Sequence, residues 1–294
     1  MKMVMLSLCL LLLLCENSYP QSGGKRLFLE IGTAFNISRL NWSIAGNLEG
    51  NSPNILSELK FNDIISFGTY VRGQYYPIKS VVVSVYFNQN SVIKGTGTDT
   101  DYKDDNRINP VFEKDFESNE GHFKLVKSGI GTPIYVSYKI QIIPSINYFL
   151  TKQRYYILSQ EIQDLRSIYQ ANIQGSEIAI ETNLNLHQAI YSSLTLSYHY
   201  VNYRAEADWN LIDSFEHPLS FSHDSKGFGF GVNMLVGYKL NNIFSFLAGG
   251  SLNATTIRRG IDTSYLRNGE EILTQFNGAK NTFGCVSFGI RVSL

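Results

Sequence analysis

Apolar and polar residues alternate along most of this chain with the two-residue period of a β-strand whose faces meet different surroundings. Across residues 59–75 one face carries Leu59, Phe61, Ile65, Phe67, Val71 and Tyr75, and the other carries Lys60, Asn62, Ser66, Gly68, Arg72 and Gln74. The pattern returns in Val81, Val83, Val85 and Phe87, in Ile140, Ile142, Ile146, Tyr148 and Leu150, and in Leu194, Leu196, Tyr198 and Tyr200. The chain ends on Val286, Phe288, Ile290, Val292 and Leu294, alternating with Ser287, Gly289, Arg291 and Ser293. Ten strands are predicted, starting near Lys25, Ser57, Ile78, His122, Tyr138, Ile173, Tyr191, Lys226, Ile243 and Asn281.

Alternation alone does not separate a membrane barrel from a soluble sandwich, since both have one apolar face. The connections separate them. Four short links (76–79, 133–137, 187–192 and 240–243) alternate strictly with five long polar ones (37–57, 88–121, 158–174, 209–226 and 256–281). Short turns at one end and long excursions at the other describe an outer-membrane barrel, and charged residues at mid-strand on the polar face suit a polar lumen. The expected fold is therefore all-β, a transmembrane antiparallel barrel of about ten strands with long extracellular loops. Each strand exceeds the ~9–11 residues needed to cross a bilayer, so the sheet should rise above the membrane. Tyr75, Tyr76, Tyr135, Tyr138, Tyr148, Tyr198, Tyr200 and Tyr238 are the candidate interfacial aromatics.

Composition adds a compartment. Lys2, an apolar run from Val4 to Cys15 and a polar exit at 16–24 form a secretory signal peptide, too short for a membrane helix. Residues 1–22 are assigned to it and 23–294 to the barrel. Cys9 and Cys15 leave with the leader, so Cys285 alone remains and no internal disulfide forms. Net charge is +0 with scattered basic residues, which argues against nucleic acid. A ten-strand lumen is mostly filled by side chains, so function is expected at the loops and rim.

Two loops carry chemistry. In the second, Asp99, Asp101, Asp104 and Asp105 allow three readings: calcium ligation, acid/base work on water by two carboxylates on one strand face, or a solvated loop with Arg107 pairing. The calcium spacing does not follow the helix-loop-helix template, and no zinc spacing occurs anywhere. In the fourth, Asp208, Asp213, Glu216, His217, His223 and Asp224 put two histidines beside acids, a setting for proton transfer. No metal and no cofactor is expected.

Ten long strands, the Asp99-Thr-Asp101 pair and the acid/histidine cluster resemble the omptins, aspartic-type proteases of the outer membrane. Ser38-Arg-Leu-Asn-Trp42 is similar to an omptin stretch at the start of loop one. The similarity is closer to the Protochlamydia outer membrane protein group, carried by residues 54–61, Asp101–Arg107, 205–210 and His217-Pro218. The omptin resemblance implies a water held between a D-x-D pair, here Asp99 and Asp101, and a D-x-H pair. Reading back from strand eight, Asp208-Trp-Asn210 has asparagine where that histidine belongs, and an asparagine cannot relay a proton. The resemblance also implies lipopolysaccharide held by basic residues on the outer wall, where Lys152, Arg154 and Arg204 fall. Snorkelling to lipid headgroups is the plainer account of the same residues. The expectation is an omptin-like monomeric barrel in the bacterial outer membrane, without a complete protease site, presenting loops to a ligand or host. An active aspartic-type endopeptidase using Asp99, Asp101, Asp208 and His217 is the alternative, and a narrow porin the third.

Overall fold

The computed structural model describes residues 25–294, so the leader with Cys9 and Cys15 lies outside the described residues. Thirteen strands follow in order: β1 (Leu27–Ile44), β2 (Ser57–Ile78), β3 (Val81–Asp104), β4 (Ile108–Glu117), β5 (Gly121–Gly131), β6 (Ile134–Tyr135), β7 (Ile140–Leu158), β8 (Arg166–Asn185), β9 (Ile190–Asp208), β10 (Phe221–Lys239), β11 (Phe244–Ile257), β12 (Gly260–Tyr265) and β13 (Glu271–Ser293). β4 and β5 succeed each other along one stave, as do β11 and β12, and β6 is a short addition to β7. Ten staves result. β1 pairs with β13 from Phe28↔Ser293 to Ile44↔Phe276, which closes the ring. At the seam the Arg26 and Leu27 amides donate to Leu294 O, and the Leu294 amide donates back to Leu27 O.

The strands run further than alternation predicts, all at the end carrying the long connections, here called the upper end. β3 continues to Asp104 and turns directly into β4, β8 begins at Arg166, and β13 begins at Glu271. The long links are thus extended hairpins more than irregular loops. Above the lipid neither face of a strand must be apolar, so the periodic signal fades while the hydrogen bonding continues.

Outward residues in the lower part form an apolar band, with Ile31 61% exposed, Phe230 59% and Phe288 56%. An exposed belt of this extent is a lipid-facing surface. Tyr75, Tyr138, Tyr148, Tyr198, Tyr200 and Tyr238 are exposed on the wall as expected. Tyr76 is not. It shares a face with Arg72 and Gln74, lies half-buried at the lower lumen and packs edge-on against Phe28 at 5.7 Å.

The lumen has two layers. Below, Glu30 lies in register with Arg72 on one side and Arg291 on the other. Arg291 Nη2 reaches Glu30 Oε1 at 2.6 Å, and Arg72 Nη2 crosses the barrel to Glu181 Oε2 at 2.5 Å. Lys127 pairs with Glu177 at 3.0 Å. These charges are removed from water and hold only because each finds a partner. A cavity of about 280 Å³ lies among Arg72, Lys127, Asn147, Glu177 and His199.

Above it the lumen is filled. Leu40 and Trp42 from β1, Leu59 and Phe61 from β2, Phe116 from β4, Tyr155 from β7, Tyr169 from β8, Tyr203 from β9, Phe221 from β10 and Phe276 from β13 form one buried cluster. Gly97 of β3 makes room for it, since a Cβ there would meet Phe116 Cζ at 2.2 Å. Cys285 faces the lumen as a free thiol.

Replacing Arg72 by alanine leaves Glu181 buried without its cation, and the expected loss of stability is about 3–5 kcal/mol. Urea unfolding in lipid vesicles measures it. An unchanged midpoint would show that the strut does not hold the barrel.

Candidate functional site

On β3 the inward positions above the filled layer are Asp99 and Asp101. Their register fixes this: Gly97 pairs with Phe61, Asp99 with Leu59 and Asp101 with Ser57, and Phe61 and Leu59 are wholly buried in the lumen. On the other side Asp99 faces Lys114 and Asp101 faces Phe112 of β4. The Lys114 ammonium is drawn away to Glu161 at 2.7 Å. Asp99 therefore sits on an apolar floor beside a second acid. Burial first, then the Asp101 charge, push its carboxyl up to about 7. Asp101 is also raised by burial, opposed by a hydrogen bond from the Ser57 hydroxyl.

Four staves further round the ring, β9 ends at Asp208, which pairs with Ile168 and so shares the outward face of Arg204 and Glu206, opposite to the buried Ala207 and Tyr203. The chain then folds into tight turns, with Ile212 N donating to Trp209 O and Phe215 N to Ile212 O at 3.0 Å each. A bridge between Phe215 and Leu266 and a bond from Glu216 N to Tyr265 O dock this turn on the neighbouring hairpin. The return stroke is tied by Ser220 N to Ala207 O at 2.7 Å and by Trp209 N to Ser220 Oγ at 2.9 Å. His217 is carried back to the strand end, where its Nδ1 lies 2.7 Å from Asp208 Oδ1. The pairing leaves Nε2 free on a side chain that is partly open to solvent.

One aromatic floor runs across the mouth. Trp209 meets Phe221 at 4.7 Å, Phe221 meets Trp42 at 5.7 Å, and Trp42 pairs in register with Leu59, the neighbour of Asp99. Leu59 shares the lumen face with Asp99, whereas Trp209 and Asp208 are consecutive and leave the chain on opposite faces.

Several expectations change. Asn210, in the place where a histidine is wanted, is a clamp: it accepts from Arg166 N and Ser167 Oγ at 3.0 Å and donates to Asp164 O at 2.8 Å. Asp213 and Glu216 are exposed, and neither takes His217. His223 does not pair with Asp224. It is an inward residue of β10, wholly buried, with Nδ1 2.9 Å from Tyr169 Oη and Nε2 3.2 Å from Asp262 Oδ1. Asp262 accepts from Thr274 Oγ1 at 2.8 Å, and Tyr169 meets Tyr203 Oη at 2.7 Å. These buried groups draw together β8, β9, β10, β12 and β13. No spacing in the sequence announces it, because Asp262 reaches His223 only through the pairing of β12 with β10.

In loop two, Asp105 is engaged by Asn54 N at 2.7 Å and Asp104 by the Asn109 amide. Among the described residues no three metal-capable side chains converge. On the outer wall, Lys124 pairs with Lys152, Lys152 with Asn172, Asn172 with Arg204, and Arg204 with Asp224, one continuous row across five staves. The row stands just above the apolar Val126 and Leu150. Arg154 lies one step higher and donates to Gln170 at 2.6 Å. Burial, then the charges of Lys124, Arg154 and Lys152, hold the neighbouring His122 imidazole below its usual pKa.

A family profile described as Protochlamydia outer membrane protein matches residues 30–294. Among solved structures, the outer membrane protease OmpT from Escherichia coli superposes with a TM-score of 0.73 at 12% identity, covering 92% of this chain and 97% of that one. The outer membrane protein OprG from Pseudomonas aeruginosa gives 0.39 at 10% identity, with coverages of 93% and 98%. No curated relative matches the sequence. At these identities the structural likeness speaks for the fold.

The folded state holds the Asp99 proton up to about pH 7, whereas an unfolded aspartate releases it near ~3.9. Between those values the native chain binds more protons than the unfolded one, so stability is highest near the acid end and falls as pH rises toward 7. Asp99→Asn should flatten that slope in unfolding measurements from pH 4.5 to 7.5. An identical slope in both chains would refute the assignment.

Proposed function

The chain belongs to the Protochlamydia outer membrane protein family, an outer-membrane β-barrel with an omptin-like fold, and we propose that its mouth is a peptide-hydrolysing site of the aspartic type. The observation that carries this reading is the Asp208–His217 pair at 2.7 Å. A carboxylate that fixes one imidazole nitrogen leaves the other to take a proton from water. Asp99 and Asp101 supply the second half of the chemistry. With one carboxyl near pH 7 and an acid beside it, the pair holds one proton up to about neutrality, so it can donate to a developing oxyanion and take the proton back.

This mechanism requires the exposed His217 turn to bring Nε2 over the rim to a water held by Asp99 and Asp101. His217 Nε2 takes its proton as the oxygen attacks the scissile carbonyl, and the protonated carboxyl of the Asp99–Asp101 pair donates to the developing oxyanion. The tetrahedral intermediate then collapses as the proton on His217 passes to the leaving amine and the Asp99–Asp101 pair takes back its proton from the intermediate's hydroxyl. The aromatic floor keeps bulk water from beneath the reacting groups, which strengthens each charge interaction. A non-enzymatic barrel that presents loops has less to explain a histidine carried back across nine positions to a carboxylate. A narrow pore would need the filled layer around Tyr169 and Phe61 to move aside.

The outer row of Lys124, Lys152 and Arg204, with Arg154 above, supports a second reading of a different surface. Cations ranked directly over an apolar belt suit the phosphates of a lipid headgroup such as lipopolysaccharide.

Refolded protein should cut peptides from a random library, and His217→Ala or Asp101→Ala should lower kcat/KM by about 10²–10⁴. A wild type that cuts nothing, or variants that cut equally well, would remove the hydrolase reading. For the wall, Lys152→Gln combined with Arg204→Gln should weaken binding to lipopolysaccharide about tenfold or more, at ~1 kcal/mol for each charge. Unchanged binding would leave these side chains as headgroup snorkels.

A further inference from the structure

Above the lipid the barrel wall opens between β4 and β7. β4 is paired with β3 along its whole length, from Thr96↔Glu117 to Asp104↔Ile108. On its other side it meets β7 at a single pair, Glu117↔Leu158. Lower down β5 fills that position and pairs with β7 from Gly121 to Gly131. Higher up, the edge of β4 from Ile108 to Phe116 has no strand partner among the described residues. The neighbouring link touches it only by side chains, Lys114 to Glu161 at 2.7 Å and Gln160 to Glu117 at 3.4 Å. A strand directs its amides and carbonyls alternately to its two sides, so about half of these backbone groups face solvent unpaired.

Two further features make this edge a binding surface. First, it is held ready. Arg107 Nη2 grips Glu58 at 2.6 Å, Asn54 N donates to Asp105 at 2.7 Å, and the Asn54 amide donates to Asn106 at 2.9 Å, so the β3–β4 hairpin stands braced on the rim. Second, beside the charged run Glu113-Lys-Asp115 it shows exposed apolar side chains. Val111 is 66% exposed and Phe112 47%. Its charge is also one-sided. Lys114 is taken by Glu161, whereas Glu113 has no cationic partner among the described ion pairs, and Asp99 and Asp101 lie one strand inward.

We propose that the free edge of β4 is a strand-addition site for an extended peptide that alternates basic and apolar residues. The main chain of the peptide pairs with β4 between Ile108 and Phe116. An apolar side chain on the mouth face lies against Phe112, and a lysine or arginine on the other face lies against Glu113. With strands ~4.8 Å apart, such a peptide runs about 10 Å from the strand bearing Asp99 and Asp101. It is tethered beside the mouth and does not occupy the position of a bond under attack, so the proposal stands apart from the hydrolase reading.

The test uses the full-length refolded protein carrying His217→Ala, which protects the probe from hydrolysis. A fluorescein-labelled nonapeptide of alternating arginine and valine is titrated at low salt and followed by anisotropy. Two isomers of it carry N-methyl groups on the odd or on the even amides. One isomer should bind at least about tenfold more weakly while the other stays within about twofold, because only one set of amides faces the edge. Glu113→Gln and Phe112→Ser should each weaken the parent peptide by about threefold or more, a modest loss for one charge or one apolar contact. No saturable binding of the parent overturns the proposal. So does an equal response to both methylation patterns, or indifference to both substitutions. A stable dimer that forms without peptide and is lost in Phe112→Ser would assign the edge to a second copy of the chain and overturn the peptide as its occupant.

Discussion

In lipid a backbone amide has no water to turn to, so every donor and acceptor in the membrane-spanning part of the wall must be satisfied by a neighbouring strand. Closure of β1 onto β13 meets that demand, and the demand fixes much else. Once the register is set, a residue's parity decides whether it faces lipid or lumen, and its partners across the strand are decided with it. Glu30 comes to stand between Arg72 and Arg291 because β2 and β13 flank β1 in that register, not because any of the three lies near another in the chain. The same logic on the outer face ranks Lys124, Lys152 and Arg204 in one row.

Above the lipid the demand relaxes, since water can satisfy what a neighbour does not. There the wall opens between β4 and β7, two staves are each built from two strands, and β9 ends early enough for a turn to return His217 to Asp208. The groups with chemical potential lie in this upper zone. A side chain's place in the lower zone is tightly specified by the ladder, whereas the upper zone leaves it freer to be placed by other contacts.

Legibility in the sequence divides along the same line. Where lipid lies on one side and a polar lumen on the other, alternation is strong, and the ten staves can be read directly. In β3 beyond Val92 the run Thr96-Gly-Thr-Asp-Thr-Asp101 keeps its ladder but loses its apolar face, so a strand reads as a loop. Tyr76 is misjudged because residue type alone suggests an interface, while its parity with Arg72 and Gln74 turns it inward. The Asp99–Asp101 pair is visible because its members are two residues apart on one face. Asp208 and His217 are named together in the sequence only through the omptin resemblance; their contact spans nine positions and is closed by a turn docked on Tyr265 and Leu266. Asn210 occupies the residue position that a short motif would scan, yet it serves to clamp the entry of β8.

The filled layer links these features. It seals the lumen and at the same time strips water from one side of Asp99, which raises that carboxyl into the neutral range. The mouth consequently carries less negative charge near neutrality than a count of its acids suggests. A cation brought close to Asp99 favours its charged form, so uptake of a basic group and release of a proton are thermodynamically linked. The linkage runs both ways: raising the pH through 7 charges Asp99 and strengthens the attraction for a basic group, and the same step weakens the fold. The floor that seals the lumen is thus the same feature that sets the charge of the mouth.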